Sequence, residues 1–217
     1  MQANTAEQKF SKIISRRNTY QYKKYKVSSK FVALFIIGLA FGISYSLTTL
    51  LEDASLCEAY AYTIKKHFDN IFSKCISLSD YSLDVLKSSM NDIRYLFYVF
   101  VGGFTYFCFY AAGLIVFAKG LTVGYATASL ILLSQRYASM IPFTALFIIY
   151  GLVSSSVIVG MSSVAYLFSF EFRAIKRNRS VLRRAPIAYR FVFSLLLSLG
   201  GIITVNFLYC FFACFIC

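Results

Sequence analysis

A chain of 217 residues that is 59% hydrophobic and 14% charged lacks the charged surface, roughly 25% of residues, that a water-soluble domain needs. Its length allows one membrane domain and no sizeable second folded unit. The formal net charge of +13 is concentrated in two basic blocks beside apolar stretches, which points to chain orientation and to membrane lipids as partners, with no nucleic acid.

Residues 1–30 hold eight basic residues (Lys9, Lys12, Arg16, Arg17, Lys23, Lys24, Lys26 and Lys30) against Glu7 alone. The next 21 residues, 31–51, carry no charge. At about 1.5 Å per residue they cover a hydrocarbon core of roughly 30 Å. The block exceeds the apolar core of a signal peptide, about 7–15 residues. It is therefore expected to be a first transmembrane helix behind a cytoplasmic arm.

Residues 52–95 differ in kind, with seven acids against five bases and so no positive excess, as expected outside the cytoplasm. Leu56, Tyr60, Ile64, Phe68 and Phe72 recur every four residues while Lys65, Lys66 and Asp69 fall elsewhere. That spacing predicts an amphipathic helix presenting an apolar face to the outer membrane surface or to a partner.

Residues 96–118 are again uncharged, Lys119-Gly120 interrupts, and a short apolar block follows over 120–135. Because a lone charge belongs at the membrane boundary, the break predicts a tight hairpin between two antiparallel spans. Gly120, Gly124 and Ala128 lie four residues apart, spacing that lets another helix approach closely. Pro142 suits the first turn of a fourth span over 142–170, in which Gly151, Ser155, Gly160 and Ser163 make one side small. Residues 171–190 then hold seven bases against Glu171, and 191–217 are uncharged. The expected architecture is all-α, a bundle of about five transmembrane helices with the N-terminus cytoplasmic and the C-terminus outside. Four crossings between the two basic blocks keep both on one side.

Chemistry is sparse. No ionisable residue falls inside the five apolar blocks so drawn, and no H-E-x-x-H, G-x-S-x-G, Walker A or G-x-G-x-x-G sequence occurs. No catalytic residue, metal site or cofactor is expected. Six scattered cysteines lack the spacing of a zinc site, and Cys57 and Cys75, 18 residues apart, lie beyond disulfide reach in one continuous helix and could bond only across a hairpin between them. His67 reads as a solvated surface residue and Asn206 as a hydrogen-bonding packing device within the last span. Ser154, Ser155, Ser156, Ser162 and Ser163 either pack against helices or line a polar path, the first reading being favoured.

The order of these features, with the turn LIVFAKGLTVG, Pro142 opening a span and SSVAYLFSF closing it, resembles the stage II sporulation protein M family of endospore-forming bacteria. Phe143 stands where many relatives place a polar residue after the proline. The resemblance implies a scaffold in the mother-cell septal membrane, assembled with stage II sporulation proteins D and P, which remodel septal peptidoglycan during engulfment. Catalysis would belong to those partners. A transporter or permease subunit using the Ser/Gly-rich spans is the alternative.

Overall fold

The computed structural model describes residues 3–52, 59, 62, 78–136, 141–177 and 184–215, and among them no strand occurs. Among the described residues five long helices follow one another: α1 (Ala3–Glu52), α2 (Leu78–Gly102), α3 (Cys108–Arg136), α4 (Ile141–Arg177) and α5 (Arg184–Phe215). Among the described residues four segments are long and apolar enough to cross a membrane, namely Tyr25–Leu50, Cys108–Gln135, Ile141–Arg173 and Ile187–Phe212. The sequence of α2 contains Asp80, Asp84, Lys87, Asp92 and Arg94, and it packs alongside the apolar helices, touching α3, α4 and α5.

The hairpin expected at Lys119-Gly120 is not there. Lys119 and Gly120 lie in the middle of α3, a single helix of 29 residues. The apolar blocks 96–118 and 120–135 are thus not two spans. The chain turns instead at residues 103–107, inside the first of those blocks. The Gly103 amide donates to the Val99 carbonyl at 3.0 Å, Phe104 to Val101 at 3.1 Å and Thr105 to Gly102 at 3.0 Å, closing the end of α2. The Thr105 hydroxyl adds a 2.7 Å bond to the Gly102 carbonyl. From α4, Ser169 donates to the Thr105 carbonyl at 3.0 Å and Arg173 to the Tyr106 carbonyl at 3.3 Å. The turn carbonyls are therefore satisfied by a neighbouring helix, which lipid could not do.

Contacts between helices give their directions. Phe31 stacks near Phe109 at one end of the α1–α3 pair, and Leu50 clusters with Leu133 at the other, so these two helices are parallel. Between those ends glycines interlock: a Cβ on Gly38 would strike the Phe117 carbonyl, and one on Gly120 the Phe35 carbonyl. Gly42 and Gly124 repeat the arrangement against Leu121 and Leu39. Backbones approach this closely only where no side chain intervenes. One turn further, Ser46 and Ser129 share a buried 2.9 Å hydrogen bond.

α4 runs antiparallel to α3, since Thr144 reaches the Leu130 carbonyl while Arg173 reaches Tyr106. α5 returns along α4, with Phe191 stacked on Phe168 at 4.1 Å between centroids and Tyr209 against Tyr150 at 4.8 Å. Phe100, Phe104, Phe168 and Phe191 form one aromatic knot where the ends of α2, α4 and α5 meet. The Lys30 region of α1, the 103–107 turn, Arg173 and the Phe191 region of α5 accordingly share one end of the bundle. Large apolar side chains such as Ile36, Phe41, Tyr110, Leu114, Leu197 and Phe212 face outward, as they do in a bundle whose solvent is lipid.

Candidate functional site

Hydropathy puts charge outside the spans; the bundle puts it inside. Asp92 of α2 and Lys119 of α3 are 2% and 7% exposed and form a salt bridge through Lys119 Nζ and Asp92 Oδ1. Lys119 lies eleven residues from the start of α3, about 16 Å along it, close to the mid-depth of the bundle. Tyr150 of α4 donates from its hydroxyl to the second carboxylate oxygen, Asp92 Oδ2, at 3.0 Å. The Lys119 ammonium also sits 5.8 Å from the centre of the Tyr95 ring. Asn206 of α5, fully buried, donates to the Ile202 carbonyl at 3.0 Å and hydrogen-bonds to Tyr150. One polar network thus joins four helices.

The physics explains why the residues lie there. An isolated ion at mid-membrane is costly, and removing two from water is costly too unless geometry and further hydrogen bonds compensate. Here both carboxylate oxygens are engaged, and the ammonium has a carboxylate and an aromatic face. The expectation that no ionisable residue lies within the bundle is overturned, as is the placing of Lys119 at the membrane boundary. A lone lysine must reach water, whereas a paired one need not, and its partner lies 27 residues away on another helix. Nothing in local hydropathy marks that pairing. The cue available was Asp92 with Arg94, charged residues immediately before an apolar run.

Beside the network α2 and α3 border an open cavity of about 410 Å³, whose wall includes Asp92, Lys119, Tyr95, Asn91, Arg94 and Thr122. Asn91, Arg94 and Thr122 are exposed, so the cavity opens away from the bundle core.

Three of the serines singled out in α4 bond to carbonyls of their own helix. Ser155 donates to the Gly151 carbonyl at 2.6 Å, Ser154 to the same carbonyl at 3.4 Å and Ser163 to Val159 at 3.0 Å. Ser162 is buried, and its hydroxyl has no hydrogen-bond partner among the described residues. Among the described residues no three His, Cys, Asp or Glu side chains come together.

Of the residues singled out in the sequence, Gly120, Gly124 and Ala128 are buried, both glycines against α1. Gly151 meets Val123 of α3 at 3.0 Å from where its Cβ would be. Pro142 is the second residue of α4, exposed in its first turn. Leu56, Tyr60, Ile64, Phe68 and Phe72, like Cys57 and Cys75, lie outside the described residues. Gly38 and Gly42 were missed, although their four-residue spacing is the same close-packing signal as that of Gly120 and Gly124.

The helices and their outward apolar surface define a class, a multi-pass α-helical membrane protein. Beyond that class the chain matches no protein-family model, no curated protein and no solved structure.

Proposed function

We propose that the chain is a five-pass membrane scaffold that recruits or positions peptidoglycan-remodelling partners at the sporulation septum. The support for this reading is a neutralised interior: among the described residues buried Lys119 is paired with Asp92, which also accepts from Tyr150, and Ser155 and Ser163 bond to carbonyls of their own helix. A bundle whose buried charges are paired suits holding partners in place. The sequence resemblance to the stage II sporulation protein M family supports the cellular role, with proteins D and P as partners. The fifth pass is α2, which lies antiparallel to α3 and carries the chain back between the parallel α1 and α3. With the basic blocks on the cytoplasmic side, the N-terminus is inside and the C-terminus outside. Purification of the tagged chain from sporulating cells should bring down a peptidoglycan hydrolase; repeated recovery without one defeats the proposal.

A second reading, a transporter or permease subunit, draws on the cavity beside the buried ion pair. Ionisable residues within a membrane often mark transport paths. Reconstituted vesicles showing solute uptake that is lost in Lys119→Met would favour it over the scaffold.

A further inference from the structure

The α2–α3 cavity combines features that the scaffold reading does not use. Its floor is the closed pair of Lys119 and Asp92, and its rim carries Arg94, Asn91, Tyr98 and Thr122. Arg94 has neither an ion pair nor a hydrogen bond among the described residues and stands exposed eight residues before the end of α2, about 12 Å into the bundle. An exposed guanidinium at that depth needs an anion or water. Since Lys119 and Asp92 cancel, the wall carries one uncompensated positive charge.

We propose that this cavity binds the phosphate of an anionic phospholipid, the headgroup lying in the cavity and the acyl chains remaining outside the bundle. A volume of about 410 Å³ accommodates a small polar headgroup. Arg94 matches phosphate oxygens through a two-pronged contact. The sideways opening suits an amphipathic ligand, because a free solute would have to reach the cavity through lipid. The headgroup is further restricted: both oxygens of Asp92 are already engaged, by Lys119 and by Tyr150, so an ammonium-bearing headgroup meets no free carboxylate. Asn91, Tyr98 and Thr122 offer amide and hydroxyl groups, which suit a polyol. Phosphatidylglycerol therefore fits the wall better than phosphatidylcholine.

The test uses the full chain in mild detergent, exposed to equal amounts of phosphatidylglycerol and phosphatidylcholine, with retained lipid read by native mass spectrometry. Phosphatidylglycerol should be retained selectively, and Arg94→Gln should lower its retention about tenfold, the loss expected for one charge-assisted contact. Arg94→Lys should give intermediate retention, and Arg190→Gln, at the bundle end, should leave it unchanged. Added inorganic phosphate should not displace the lipid; displacement that depends on Arg94 would keep the phosphate site but assign it to a free anion. Equal retention by Arg94→Gln and the unaltered chain overturns the proposal. So does an equal loss in Arg190→Gln, or loss of a second protein copy in place of lipid.

Discussion

Removing one member of the Lys119–Asp92 pair leaves the other buried without a counter-charge, and the asymmetry of that situation is measurable. Lys119→Met alone, or Asp92→Leu alone, should each lower unfolding free energy by about 3–5 kcal/mol. The double variant, which leaves no stranded charge, should fall within about 1 kcal/mol of the unaltered chain or exceed it. Equilibrium unfolding in mixed detergent micelles decides this, and additive losses in the double variant would mean that the two residues act independently. Tyr150→Phe withdraws the hydroxyl that serves both Asp92 and Asn206 and leaves one buried carboxylate oxygen unpaired, so it should cost about 2–3 kcal/mol. None of these roles is visible in the neighbourhood of each residue. Lys119 sits among apolar residues and Asp92 among polar ones, so local composition sends them to opposite environments although they touch.

Between helices, the α1–α3 contact is the one that depends most sharply on residue size. At Gly42 and Gly124 the obstruction is partner backbone, which cannot rotate away as a side chain tip can. Gly124→Leu should therefore destabilise by about 3 kcal/mol or more, as overpacking against an unyielding neighbour does. Gly200, where an added Cβ meets nothing within 4 Å, provides the contrast, and Gly200→Ala should be neutral or slightly stabilising. Thermal survival of the two variants in detergent separates the cases; equal survival of Gly124→Leu and Gly200→Ala would show that the backbone of α1 does not limit residue size at position 124. The series Gly120, Gly124 and Ala128 was legible because small residues at four-residue spacing announce a contact wherever they occur. Its partner helix was not, since spacing says that something approaches without saying what. The same limit explains the displaced turn. Both Gly102-Gly103 and Lys119-Gly120 can be read as breaks, and the choice depends on carbonyl partners that α4 supplies through Ser169 and Arg173.

For the chain as a whole, the helix directions predict which ends share a membrane face. In a cysteine-free background, Lys26→Cys and Arg190→Cys should react with a membrane-impermeant thiol reagent from the same side, and Tyr62→Cys from the other. All three side chains are exposed, so access is limited only by the lipid. Labelling of Lys26→Cys and Arg190→Cys from opposite sides would refute an even number of passes between them. The membrane class follows from the chain's apolar lengths, and the expectation that the two basic blocks share one face follows from its charge asymmetry. Those properties are sums over many residues, and neighbours in space hardly alter them. The position of the turn, the identity of α2 as a polar-bearing member of the bundle and the ion pair at its centre depend on the assembled helices. Whether a charge can remain in an apolar interior is a property of its partner, and in this fold that partner arrives from a separate helix.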